Sequence, residues 1–146
     1  MNSLSRRNVL GALTLASIGV AGCTKPPVRV GFVGGLTGRT ADLGLAGRDG
    51  ALLALEQANA AGGMGGRPVE WVTADDQQDP AAAVAAFNRL KDAGVSVIVG
   101  PMTSAMAVAM VPLANAAGLT MISPTVPSRA LAGLDDQVCR ERSSTR

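Results

Sequence analysis

Beyond residue 27 the chain alternates short apolar, β-branched runs with longer stretches whose apolar positions recur at helical spacing. Val28-Arg29-Val30-Gly31-Phe32-Val33 is apolar at alternate positions and bounded by Gly34-Gly35, which predicts a first strand. Over residues 43–60, Ala51 or Leu52, Leu55 and Ala58 fall on one helical face while Arg48, Asp49, Glu56 and Gln57 fall elsewhere; this helix stops at Ala61-Gly62-Gly63. Val69-Glu70-Trp71-Val72-Thr73-Ala74 predicts a second strand. Asp79-Pro80 then offers an N-cap followed by proline at the first helical position, and Val84, Phe87 and Leu90 supply that helix's buried stripe. Val95-Ser96-Val97-Ile98-Val99 has the composition of a strand covered on both faces. Gly100-Pro101-Met102-Thr103-Ser104 leads into a third helix that Pro112 interrupts or kinks, and Leu119-Thr120-Met121-Ile122-Ser123 forms a fourth strand.

Strand, helix, strand, helix, strand, helix, strand is the order of an α/β fold with a doubly wound, mainly parallel sheet. Such sheets bind ligands outside the carboxyl ends of their strands. Three loops qualify: 34–43, 100–104 and 124–128.

The first 22 residues have a different pattern. Arg6 and Arg7 precede an apolar run over residues 9–22 that Thr14, Ser17 and three glycines break, too short and too polar to span a bilayer. This is the layout of a signal peptide. Ser5-Arg6-Arg7-Asn8-Val9-Leu10 resembles the twin-arginine export signal, although Val9 and Gly11 stand where Phe and Lys are usual, so the general export route stays open. Val20-Ala21-Gly22-Cys23 resembles a bacterial lipobox, which makes Cys23 the lipidated mature N-terminus and residues 24–27 a short stiff tether. The plainer alternative for Cys23 is a small residue near a cleavage site. These features imply an exported chain, lipid-anchored to the membrane and facing the periplasm or the extracellular side.

Composition then narrows the chemistry. The chain has 13 Lys and Arg against 11 Asp and Glu, and loss of Arg6 and Arg7 with the signal leaves a neutral mature chain, without a footprint for nucleic acid. What remains is about one domain. Its few aromatic residues, Phe32, Trp71 and Phe87, predict a core of aliphatic side chains and alanine. After lipidation Cys139 is the one free thiol, so no internal disulfide forms. There is no His, and Ser104 has no evident activating partner, which argues against an enzyme. Cys139 reads as a buried strand residue or, less simply, a reactive thiol. Gly31, Gly34, Gly35 and Gly38 lack the Gly-x-Gly-x-x-Gly spacing, so they read as turn and packing residues rather than a nucleotide loop. Asp75, Asp76 and Asp79 lack the longer oxygen-rich loop of a hard cation, and capping explains Asp79. No metal or cofactor is expected.

Several ordered motifs carry a resemblance. Val30-Gly31-Phe32-Val33-Gly34-Gly35-Leu36-Thr37-Gly38, Asn59-Ala60-Ala61-Gly62-Gly63-Met64-Gly65-Gly66-Arg67, Asp75-Asp76-Gln77-Gln78-Asp79-Pro80, Gly100-Pro101-Met102-Thr103-Ser104 and Ile122-Ser123-Pro124-Thr125 occur in sequence, with Gly133-Leu134-Asp135-Asp136 following. Together they resemble the first lobe of type I periplasmic binding proteins of ABC importers, in particular the branched-chain amino-acid group. In that family an amino acid or related small amide is held in a cleft between two lobes. The resemblance implies that Ser104, with Thr103 and the amides opening the third helix, holds the ligand carboxylate, and that the backbone around Thr125 lines the cleft. A plain N-cap for Ser104 and a turn residue for Thr125 are the structural alternatives. Leu43 stands where many members carry an aromatic that packs on the ligand, and Pro127 where branched-chain binders have a hydroxyl. Gln78 and Thr103 stand where some relatives have a disulfide pair.

The resemblance runs over residues 28–146, first lobe only, with residues 137–146 resembling the opening of the next strand region. An absent second lobe would mean a truncated gene, a partial polypeptide or a lobe completed by another chain. The expected function is the substrate-binding lipoprotein of an ABC importer, with a membrane permease as partner. The alternative is a stand-alone surface lipoprotein used as an interaction or sensing module, or a nonfunctional remnant.

Overall fold

The computed structural model describes residues 25–39, 41–127 and 138–140; Arg6, Arg7, Cys23 and Gly133-Leu134-Asp135-Asp136 lie outside them. The elements are β1 (Val28–Gly34), α1 (Ala41–Ala60), β2 (Val69–Asp75), α2 (Pro80–Asp92), β3 (Val97–Val99), α3 (Ser104–Ala117), β4 (Thr120–Ser123) and β5 (Val138–Arg140). All five strands pair in parallel in the order β2-β1-β3-β4-β5. The chain steps outward from β1 to β2, then returns to the other side of β1 for β3. The sheet is therefore the doubly wound α/β kind expected, and its switch point lies between β1 and β3.

Strand alternation divides the sheet residues between two faces. Val33, Ile98 and Met121 pack with Ala83, Phe87 and Leu90 of α2 and with Met106, Met110 and Val111 of α3. The residues of opposite parity meet α1, where Val30, Trp71 and Val99 line a hollow with Ala51 and Leu55, and the rings of Phe32 and Trp71 stack 5.7 Å apart. Cover on this second face is thin. Gly44 is the buried residue of α1, and Leu53 and Ile122 are 56% and 42% exposed.

Asp79 caps α2 as expected, its Oδ1 accepting from Ala82 N at 2.9 Å, with Pro80 opening the helix. Four details differ from expectation. The buried stripe of α2 is Ala83, Ala86, Phe87 and Leu90, with Val84 only half-buried, because small residues let the helix lie close against the sheet and α3. Pro112 does not interrupt α3, which runs from Ser104 to Ala117. The carbonyl deprived of its partner is that of Val108, four residues earlier, and both residues are exposed, so water can satisfy it. The third strand begins at Val97, Val95 being a buried plug before it. Finally, Met102, Met106, Met110 and Met121 are all buried, so unbranched thioether chains fill much of the space that aliphatic residues were expected to fill.

Candidate functional site

The carboxyl ends of β1, β3 and β4 open onto one edge. Gly100, at the end of β3, is what lets the strands converge there. Its φ is +112°, and a Cβ on it would stand 2.0 Å from the Val33 carbonyl oxygen. Its N–H donates to Ile122 O at 2.8 Å, which ties the turn to β4. The buried hydroxyl of Ser123 donates to Pro101 O at 2.6 Å, and the Thr125 hydroxyl donates to Met102 O at 2.7 Å. Two hydroxyls at the exit of β4, on either side of Pro124, therefore fasten the loop that opens α3.

That loop ends in Thr103, the N-cap of α3, in an extended conformation (φ −130°, ψ 149°) with no side-chain capping bond. Ser104 is the first helical residue, so of the two readings offered for it the plain N-cap is replaced: the cap position belongs to Thr103. The first-turn amides of α3 lack intrahelical acceptors, as in any helix, and Thr103 takes none of them with its hydroxyl. Thr103 and Ser104 are both half-buried. Thr125 reaches the same loop through Met102, its hydroxyl proton being donated to that carbonyl.

The loop after β1 is held by a carboxylate that the sequence showed only as part of a turn. Asp75 Oδ1 accepts from Leu36 N and Gln77 N, each at 2.8 Å, and its Oδ2 accepts from the Thr37 hydroxyl at 2.6 Å. Burial acts to raise the Asp75 pKa, but the bonds from the Thr37 hydroxyl and the Gln77, Leu36 and Thr37 amides outweigh it and hold the carboxyl below 3.8. Its neighbour behaves oppositely. Asp76 is 1% exposed, and burial, reinforced by the Asp75 charge and opposed by the Gln78 amide, pushes its carboxyl above 3.8. Gln77 and Gln78 both sit in the left-handed region, at φ 50° and 57°, and Gln78 Nε2 donates to Thr37 O at 3.1 Å. Gln78 thus reaches the β1–α1 loop.

A hollow of about 460 Å³ adjoins this edge, lined by Leu43, Gly47, Val99, Met102, Pro124 and Thr125 among others. It is apolar and lies along α1; Thr103 and Ser104 are not among its lining residues. The polar edge, rather than the hollow, has the chemistry for a carboxylate. Among the described residues no cluster of three potential metal ligands occurs. None of the described helices is long and apolar enough to cross a membrane.

Comparison with known proteins places this arrangement. The profile of a family described as periplasmic binding protein matches residues 27–142. The chain is 32% identical over 117 residues to the leucine-, isoleucine-, valine-, threonine- and alanine-binding protein of Pseudomonas aeruginosa, a match covering 80% of this chain and 31% of that protein. It is 32% identical to the Leu/Ile/Val-binding protein BraC3 of Rhizobium johnstonii, over 80% of this chain and 32% of the relative. Among solved structures, the branched-chain amino acid transporter substrate-binding protein LivJ of Streptococcus pneumoniae, in complex with isoleucine, superposes with a TM-score of 0.73 at 34% identity, over 78% of this chain and 33% of the other. The chain thus spans about a third of the length of the curated relatives it matches. These relatives and this fold are those of transporter binding proteins, not of enzymes. The chain belongs to the periplasmic binding protein family and corresponds to the N-terminal portion of its type I, branched-chain amino-acid-binding members.

Proposed function

We propose that this chain is the first lobe of the substrate-binding component of an ABC importer for branched-chain-type amino acids or related small amides. The carrying observation is the opening of α3 at the carboxyl edge, where Thr103 leaves the first-turn amides uncapped beside the switch point. A helix N-terminus of this kind presents N–H donors and a positive dipole end to an anion. In this reading Ser104 and Thr103, with those amides, hold the ligand carboxylate, and the backbone at Thr125 lines the far side. Leu43, 42% exposed at the rim of the apolar hollow, meets the ligand's side chain. An opposing lobe, for which the length of the relatives leaves room, encloses the ligand, and a membrane permease receives it.

The same proposal includes export through the signal over residues 1–22 with Arg6 and Arg7, and lipidation of Cys23, which holds the lobe at the outer side of a membrane. A thermal-melt series with leucine, isoleucine, valine, threonine, alanine and small amides tests direct capture. Ligand at about ten times its Kd stabilises a binder by about 1.4 kcal/mol. No shift with any ligand at tens of millimolar would sink capture by this chain and leave the stand-alone lipoprotein as the reading.

A further inference from the structure

On one side the parallel sheet ends at β2, whose outer side pairs with no described strand. A residue in a parallel ladder turns its N–H and C=O to the same side, and successive residues alternate sides. Val28 N donates to Pro68 O at 2.9 Å and Asp76 N to Gly34 O at 3.2 Å, so the even-numbered residues of this stretch face β1. Val69, Trp71, Thr73 and Asp75 therefore turn their backbone polar groups outward. An edge of this kind is a template for pairing with another chain.

Two side chains already occupy it. The Asn59 amide, at the end of α1, donates to Val69 O at 2.9 Å and accepts from Val69 N at 2.8 Å, the same two bonds that a neighbouring strand would make with that residue. Arg89, in the last turn of α2, donates through Nη2 to Thr73 O at 3.2 Å. Between them, Trp71 has no partner for its outward N–H and C=O among the described residues. Asn59 is itself held in place by the turn that follows it. Met64 and Arg67 exchange both backbone hydrogen bonds, at 2.9 and 3.2 Å, across the 62–67 turn, and the Arg67 guanidinium donates to Pro26 O at 2.7 Å and Pro27 O at 3.2 Å. The end of α1 is thus fastened to the peptide entering β1.

A two-fold axis at Trp71 would let this edge pair with its own copy. Trp71 would then exchange both bonds with Trp71 of the second copy, and Val69 of each chain would stand opposite Thr73 of the other. All three are strong strand formers. The flanking pairs, however, need the groups that Asn59 and Arg89 hold. Pairing is cut to one residue on each chain, and two hydrogen bonds do not offset the rigid-body freedom lost on association.

We propose that Asn59 and Arg89 keep the β2 edge closed against strand addition by a second copy of this chain, in antiparallel register about Trp71. Arg89 also stands where a cation suits the helix dipole, but that role alone leaves the state of association unchanged when the residue is removed.

The test is sedimentation velocity on the mature chain, kept reduced, at rising concentration and well below each variant's melting temperature, with hydrogen exchange at the Trp71 amide as a second readout. The unaltered chain sediments as a monomer with a fast-exchanging Trp71 amide. The double variant Asn59→Ala with Arg89→Ala sediments as a dimer or larger, and its Trp71 amide slows severalfold as concentration rises. Thr73→Pro added to that variant restores the monomer, because the Thr73 N–H faces outward and its loss breaks no ladder bond. Ile98→Val, which loosens the buried core and leaves the edge intact, stays monomeric. Where Asn59→Ala leaves too little folded chain, Arg89→Ala is read alone, with a smaller rise in mass that Thr73→Pro again reverses. A folded variant with the edge opened that stays monomeric at every concentration overturns the proposal. So does association that Thr73→Pro fails to reverse or that Ile98→Val shares, and so does an unaltered chain that already pairs with its Trp71 amide protected.

Discussion

Three glycines of α1 allow the seating of that helix to be measured as a graded series. At Gly44 a Cβ would stand 2.0 Å from Gly35 O, backbone against backbone; at Gly47 it would stand 2.6 Å from the flexible end of Met102; at Gly50 nothing lies within 4 Å. Ordinary contact begins near 3.4 Å, so Gly44→Ala forces the helix away from the β1 exit by up to 1.4 Å, the difference between that distance and the 2.0 Å approach. A gap of 0.5–1 Å already forfeits about a quarter to a half of the dispersion energy of the contacts it opens. Overpacking of this kind costs about 1–3 kcal/mol, against about 1 kcal/mol gained by replacing glycine with alanine inside a helix. The expected net is a loss of up to about 2 kcal/mol for Gly44→Ala and a gain of about 0.5–1 kcal/mol for Gly50→Ala, with Gly47→Ala between them. At about 4 °C per kcal/mol for a domain of this size, the outer pair separates by about 2–12 °C in thermal melts. Urea midpoints should rank the three alike. If Gly44→Ala stabilised as much as Gly50→Ala, α1 would not rest on the Gly35 loop, and the carboxyl edge described above would be wrong.

The two adjacent aspartates give opposite pH responses. Ionised Asp76 has a raised folded-state pKa, so it costs stability at neutral pH and the cost is relieved as pH falls through that raised value; Asp76→Asn should match or exceed the parent chain at neutral pH and lose its advantage in acid. Asp75 has a depressed folded-state pKa, so its contribution is present above 3.8 and is lost as pH falls through the lower folded value; Asp75→Asn should cost about 1 kcal/mol at neutral pH and speed hydrogen exchange at Leu36. Asn59→Ala leaves both polar groups of Val69 without their partner and should cost about 1–3 kcal/mol in chemical denaturation. Ser104→Ala should weaken ligand-dependent stabilisation about fivefold in affinity, equivalent to about 1 kcal/mol, while the melting temperature without ligand moves little. A large fall in that ligand-free temperature would make the hydroxyl structural instead.

The alternation of β and helical patterns was enough to place all four of the strands and all three of the helices expected, and the glycine-bounded loops fall at the carboxyl edge of the sheet. Local chemistry was legible where one residue decides it, as with Asp79 and Pro80 at the start of α2. It was not legible where two candidates stand side by side. Thr103 and Ser104 are equally good caps by type, and the choice depends on which residue remains extended as the chain leaves Gly100 and Pro101. Of the two outcomes offered for Pro112, interruption does not occur, which depends on the carbonyl four residues earlier being able to reach water. The roles of Asp75 and Arg67 depend on partners 38 to 41 residues away in sequence, Leu36 and Thr37 for one and Pro26 and Pro27 for the other, which no periodicity records. Asp76 is buried and accepts from the Gln78 amide in a turn whose two non-glycine residues, Gln77 and Gln78, sit in the left-handed region that composition alone would not assign.

Ligand capture at the carboxyl edge is tested most directly by amide chemical-shift mapping of the full chain during titration with leucine, isoleucine and small amides. This method reads Kd values into the millimolar range. The account predicts saturable shifts at the amides of Thr103, Ser104, Ala105 and Thr125, reduced in Ser104→Ala, with the 62–67 turn unmoved. No saturable shift with any of these ligands, or shifts that leave Thr103, Ser104 and Ala105 unmoved, would contradict it.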